Sequence, residues 1–158
     1  MPPRPALRTL AATHCDLLAV IALGGALGSL GRWAIAEALP HAGSAFPIGT
    51  FLTNVSGALL IGILMALVLG PWSHTRYLRP FLGVGVLGGY TTFSTYALES
   101  RGIIASGAPA TALAYLVVSI VAGLLAVALG LVAGRALIAA EARRHGHEIS
   151  SDTANQED

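Results

Sequence analysis

Nine consecutive residues, Gly88, Gly89, Tyr90, Thr91, Thr92, Phe93, Ser94, Thr95 and Tyr96, set a glycine pair directly ahead of a hydroxyl cluster. The glycines weaken a continuous helix. Four of the five positions from Thr91 to Thr95 carry hydroxyls, more than back-bonding to helix carbonyls accounts for. Hydroxyls are neutral donors and acceptors. Beside backbone freed at a disrupted helix, they make a candidate binding site for an ion. Two further polar tracks repeat at helical spacing: Thr50 and Asn54, with Thr53 beside them, and Tyr115 and Ser119, with Gly123 continuing the line. Residues four apart share a helix face. A single buried asparagine serves as interhelical glue, but two polar tracks facing a disrupted helix point to a permeation path.

Catalytic chemistry finds no comparable constellation. Cys15 stands alone and cannot form an internal disulfide; His14, His41 and His74 are scattered, and His145 and His147 fall in a polar tail, so no metal-ligand spacing emerges. Asp16 and Glu37 flank the first apolar stretch and Glu99 ends the third, which leaves no carboxylate or histidine inside a span to act as base. The chain is therefore not expected to be an enzyme.

The elements that must position these residues follow from composition. Of 158 residues, 54% are apolar and 11% charged, against roughly 25% charged in soluble domains. Lysine is absent and the net charge is +1, which argues against nucleic acid as a partner. Four stretches, 17–39, 47–70, 81–98 and 108–140, approach the roughly 20 apolar residues that cross a bilayer. They predict an all-α, multi-pass membrane protein of four transmembrane helices, the third broken mid-membrane. A tail over 1–16 precedes this 17–140 domain, and a disordered tail over 141–158 follows it, too polar to bury a core. The first stretch is too long for a secretory signal and continues through Arg32 and Trp33. Short connections fall at 40–46, 71–80 and around 99–107, with Trp33, Trp72 and Tyr77 suited to the water interface. Gly24, Gly25, Gly28 and Gly31 in the first stretch, Gly57 and Gly62 in the second, and Gly123, Gly130 and Gly134 in the fourth let helix backbones approach closely.

Residues 24–33 (GGALGSLGRW), 49–57 (GTFLTNVSG) and 88–96 (GGYTTFSTY) resemble the three signature stretches of the Fluc/CrcB family of fluoride channels. The resemblance covers all four spans in order, and its third stretch is the most specific. It implies a fluoride-selective channel of the cell membrane that exports fluoride passively. It also implies an antiparallel dimer, with itself or with a homologous subunit, and a structural Na+ at the dimer centre held by backbone carbonyls of Gly88 and Thr91. By the same resemblance Asn54 hydrogen-bonds fluoride and orients the aromatics, Phe93 and Tyr96 are the pore aromatic pair, and Ser94 and Thr95 are hydroxyls near the pore. Thr50 joins this pore set from the second span. Tyr115 and Ser119 resemble the fourth-helix polar track, and Arg32 a vestibule arginine, although a snorkelling interface arginine is an equal reading of it. Three departures stand out: Tyr96 in place of phenylalanine, Thr53 in place of an apolar residue, and Gly123 where some members carry serine.

Such donors suit fluoride, because an amide and several hydroxyls replace its hydration without the fixed charge that would trap it. The rival class is a small four-helix multidrug or metabolite exporter, which needs a protonatable carboxylate deep in the membrane. Arg4, Arg8, Arg76, Arg79, Arg135, Arg143 and Arg144 fall on the side of the termini and only Arg32 and Arg101 opposite. The positive-inside rule then places both termini in the cytoplasm. A subunit of fixed orientation would need an oppositely inserted homologue, whereas a homodimer would need the C-terminal arginines to count for little.

Overall fold

In hydrocarbon a backbone must satisfy its own amides and carbonyls, and long apolar runs do so as helices. The computed structural model describes residues 7–71 and 75–154, and the side chains of 15–71 and 75–143. Arg4, Trp72 and His74 lie outside the described residues, as do the side chains of Arg8, His14, Arg144, His145 and His147. The elements are α1 (Leu7–Ala38), α2 (Ile48–Leu69), α3 (Arg79–Leu87), α4 (Gly88–Tyr90), α5 (Ser94–Ala105) and α6 (Pro109–Ala154). No strand occurs among the described residues. Three segments are long and apolar enough to cross a membrane: Cys15–Ala38, Ile48–Leu69 and Pro109–Arg143.

Between α2 and α6 the backbone departs from one regular helix. α3 is π-wound, α4 is a single α turn, residues 91–93 are non-helical, and α5 continues to Ala105. The connection expected around 99–107 is therefore mostly helical, and Glu99 lies inside α5, which corrects its reading as the end of a span. The true stop is Gly107, at φ 83°. Its N–H reaches the Ile104 carbonyl at 3.0 Å and the Ala108 N–H reaches the Ile103 carbonyl at 3.2 Å, the paired bonds that close a helix on a left-handed glycine. α6 runs past residue 140, where the span was expected to end, to Ala154. No proline interrupts it, and alanine, glutamate and arginine there favour helix.

α1 packs chiefly on α3 and α4, and α2 chiefly on α6. Both seams need glycine: a Cβ at Gly28 would collide with the Val86 carbonyl, and one at Gly130 with the Leu59 carbonyl. α5 meets α6 through a buried cluster of Tyr96, Ile103, Ala112 and Tyr115. Phe46 stands edge-on to Phe51 and Tyr115 at centroid distances of 5.5 and 5.1 Å, a favourable arrangement for aromatic rings. Near the start of the first membrane-capable segment, Asp16 accepts a hydrogen bond from the Tyr77 hydroxyl at 2.5 Å and pairs with Arg76 at 3.2 Å. The Arg76 guanidinium also lies 5.0 Å from the Tyr77 ring centroid. The bond to Asp16 holds the Tyr77 hydroxyl above its usual range and fastens the α2–α3 connection to α1. Leu124, Leu125, Leu129 and Val132 of α6 face outward, as side chains in contact with lipid do.

Candidate ion-permeation site

The site is built around the non-helical residues 91–93. Asn54 of α2 donates from Nδ2 to the Thr92 carbonyl, and the Thr92 N–H donates to Asn54 Oδ1, both at 2.9 Å. One side-chain amide thus supplies both partners that a helix would have given Thr92. Thr92 Oγ1 accepts from the Thr95 N–H at 3.2 Å and donates to Thr95 Oγ1 at 3.0 Å, capping the start of α5 as threonine caps helices elsewhere. On the other side, the Thr91 N–H and hydroxyl both bond to the Leu87 carbonyl, at 3.0 and 2.9 Å. The Tyr90 hydroxyl pairs with Ser56 Oγ at 2.9 Å, and its ring lies against Gly31 and Gly57.

Two carbonyls lose their usual donors through this arrangement. In a continuous α-helix the Gly88 carbonyl would take the Thr92 N–H, and the Thr91 carbonyl the Thr95 N–H. Those N–H groups go to Asn54 Oδ1 and Thr92 Oγ1 instead. Neutral oxygens at Gly88 and Thr91 fit a hard cation in donor chemistry.

Two clefts flank the break. The first, of about 350 Å³, is lined by Ser29, Arg32, His41, Thr50, Thr95 and Glu99 among others. The second, of about 370 Å³, is lined by Asn54, Thr91, Phe93, Tyr96 and Ser119 among others. Thr92 lines both. Of the residues expected in the pore, Arg32, Thr50 and Thr95 therefore face one cleft, and Asn54, Phe93, Tyr96 and Ser119 the other. Ser94 lines neither and is exposed, 3.4 Å from Thr92 Oγ1. Tyr115 also lines neither: it is fully buried. The track shared by Thr50 and Asn54 along α2 is thus divided between the two clefts.

The aromatic pair is asymmetric. Phe93 is 79% exposed and Tyr96 only 8%, with ring centroids 6.0 Å apart. The Tyr96 hydroxyl donates to the Leu116 carbonyl at 2.9 Å, so it is spent on α6 and offers the cleft no competing donor. Thr53, the second departure, is buried and bonds back to the Gly49 carbonyl at 2.8 Å. At Gly123, the third, a Cβ would meet nothing within 4 Å. Ser119 Oγ is buried without a hydrogen-bond partner among the described residues, a donor left over beside the second cleft.

Glu99 lines the first cleft, and sequence reasoning gave it no part in the path. Its side chain is 14% exposed, and each carboxylate oxygen accepts one hydroxyl, Thr50 Oγ1 on Oε1 and Tyr115 Oη on Oε2, both at 2.8 Å. His41 Nε2 stands 4.0 Å from Oε1. The signal was present in the interval from Thr95 to Glu99, four residues like that from Thr50 to Asn54, which puts both on one face of α5.

A family model described as CrcB-like protein, Camphor Resistance (CrcB), matches residues 19–131, a range that includes both clefts' hydroxyls and the break between them. The chain belongs to the CrcB-like family. It is similar to fluoride-specific ion channel FluC 2 of Nocardia farcinica, 49% identical over 119 residues, covering 75% of this chain and 85% of the relative. Fluoride-specific ion channel FluC 3 of Streptomyces avermitilis is 44% identical over 133 residues, covering 82% of this chain and 65% of the relative. The fluoride-specific ion channel FluC of Paracoccus denitrificans is 43% identical over 121 residues, covering 75% and 94%. Membership of this family and three membrane-capable helices make the chain a multi-pass membrane protein.

Proposed function

We propose that this CrcB-family chain is a fluoride-selective channel of the cell membrane. The observation that carries the reading is the position of Thr92, shared by two clefts and held there by both ends of the Asn54 amide. Fluoride passes between the cleft of Arg32, Thr50 and Thr95 and that of Asn54, Phe93 and Ser119. Neutral donors replace its hydration shell along the way, bound firmly enough to enter and weakly enough to leave. The second N–H of Asn54 and the unpartnered Ser119 hydroxyl are the free donors on the far side, and the Phe93 ring presents a positive edge to the anion. A membrane potential drives the anion outward by about 2.3 kcal/mol per charge per 100 mV, so no energy-coupling motif is needed.

Residues 91–93 form the break of a third pass, at mid-membrane depth, where irregular backbone is tolerated because it lines a cavity. Two antiparallel subunits pack over this face and cover the exposed Phe93 ring. The Gly88 and Thr91 carbonyls of both hold a sodium ion at the dimer centre, whose charge fixes the broken ends in place. Sodium is structural: fluoride efflux carries none with it, and stoichiometric sodium movement in a tracer flux would overturn this assignment. Glu99 gives the chain a part-buried carboxylate of the kind a proton-coupled exporter requires, so the family, rather than a missing carboxylate, separates the two readings. Reconstitution in liposomes tests the choice: rapid fluoride efflux at an ion electrode with little chloride efflux is expected. Equal efflux of both ions, or none without a proton gradient, would refute the fluoride channel.

A further inference from the structure

An anion path with a carboxylate in its wall poses an electrostatic problem. Glu99 faces the first cleft with its charge only 14% exposed, and its two hydroxyl partners satisfy lone pairs without cancelling that charge. The titratable groups around it are Arg32 from α1, His41 from the α1–α2 connection and Tyr115 from α6; α2 contributes only the Thr50 hydroxyl. Arg32 is always charged and makes no ion pair among the described residues. A tyrosine hydroxyl donating to a carboxylate stays neutral at physiological pH. Among these residue types, histidine is the one that ordinarily changes charge between about pH 5 and 8.

We propose that His41 sets the charge of the first cleft, making the mouth over Glu99 more receptive to fluoride as the pH falls. This rests on the fluoride-channel reading above. His41 Nε2 lies 4.0 Å from Glu99 Oε1, and its side chain is 30% exposed. That separation is too long for a hydrogen bond. It is short enough, well inside a Debye length of about 8 Å, that a protonated imidazole offsets the carboxylate directly. When His41 is neutral, the cleft holds one fixed positive charge, Arg32, against one negative, Glu99. When His41 is protonated, the balance becomes positive, and an anion approaching Thr50 and Thr95 meets an attractive rather than a neutral field. The sign follows from the charge order: conduction rises as protons bind the imidazole and falls as they leave. Hydrogen fluoride forms in acid and crosses membranes uncharged, so a mouth that responds to acid conducts most when fluoride loading is greatest.

The test is fluoride current across planar bilayers, which electroneutral leak of hydrogen fluoride does not contaminate. The quantity read is the ratio of current at about pH 5.5 to that at about pH 7.5 in one membrane, which does not depend on how many channels folded or inserted. Wild type is expected to show a ratio severalfold above one. His41→Gln should bring the ratio close to one at the low, alkaline level of current. His41→Lys, positive at both pH values, should bring it close to one at the high, acid level. A His41→Gln channel that keeps the wild-type ratio would assign the titration to Glu99 itself and overturn the proposal, as would a His41→Lys channel with current below wild type at the alkaline pH. A wild type that conducts fluoride equally at both pH values overturns it while leaving the channel reading intact. Absence of fluoride current at every pH overturns both.

Discussion

Asn54 does two jobs with one amide. It braces the backbone of Thr92, and it has an N–H left over for the cleft it lines. Asn54→Ala therefore removes a donor from the path and also strands the Thr92 N–H and carbonyl, at about 1–3 kcal/mol for each buried group left unsatisfied. Fluoride efflux from liposomes should fall by about tenfold or more, since each 1.4 kcal/mol is a factor of ten; wild-type efflux from a well-folded variant would remove Asn54 from the path. Tyr96 makes the opposite case. Its hydroxyl bonds to the Leu116 carbonyl, away from the cleft, and its ring is what meets Phe93. Tyr96→Phe should cost about 0.5–1.5 kcal/mol of stability, seen as a lower thermal midpoint in detergent, while fluoride efflux stays close to wild type. A collapse of efflux with unchanged stability would show that the hydroxyl acts on the ion. The types of these residues were readable from the chain, because an amide and hydroxyls in apolar runs have few uses. Their division between two clefts was not, because it depends on how far α5 turns after the break. Glu99 was missed although its four-residue interval from Thr95 was readable, because its depth is set by the continuation of α5 to Ala105.

At the scale of elements, three spans were legible because each is a long, mostly apolar run, such as α2 between Pro47 and Gly70. The segment between α2 and α6 was legible only as a disruption. Glycines at 83, 85, 88 and 89 lower the cost of leaving the α-helix, but they do not say which winding replaces it, and the observed answer is a π-wound α3. That winding answers to tertiary demand. Gly85 and Gly89 must meet α1 backbone to backbone, since a Cβ at Gly85 would approach the Ile21 carbonyl to 2.8 Å. The seam makes a prediction by contrast between two glycines that sequence alone treats alike. Gly28→Leu drives a side chain into the Val86 carbonyl, so α1 must separate from α3, at about 1–3 kcal/mol or more for overpacking. Gly123→Ala adds a methyl that meets nothing within 4 Å and removes a helix-interior glycine, worth up to about 1 kcal/mol of added stability. Thermal denaturation followed by size-exclusion chromatography should rank Gly28→Leu below wild type and Gly123→Ala at or above it. The reverse order would mean that the α1–α3 seam is not where the structure has it.

The whole molecule carries its charge unevenly, and that bears on how two copies or two homologues meet. Arg76 and Arg79 sit at the α2–α3 connection and Arg135 and Arg143 along the far end of α6, whereas Arg32 lies near the opposite end of α1 and Arg101 within α5. With four passes, the first group shares a side with the N-terminus. The positive-inside rule weighs arginines within about 15–20 residues of span ends. Arg135 lies within the membrane-capable segment of α6 and Arg143 at its end, so they count. Such a bias favours one insertion over the other. On the antiparallel architecture proposed above, the expected outcome is insertion with the termini in the cytoplasm and pairing with a homologue of reversed bias rather than with a second copy. Departures such as Tyr96 then belong to a subunit that needs to supply only half of each site. The measurement is cysteine accessibility in intact cells, in a Cys15→Ser background because the native thiol is exposed. A cysteine placed at Ser106, in the short α5–α6 connection, should be labelled by an impermeant reagent from outside, and one placed at Ser151 only after the membrane is opened. Equal labelling of both positions from outside would show dual insertion, and the chain would then pair with itself.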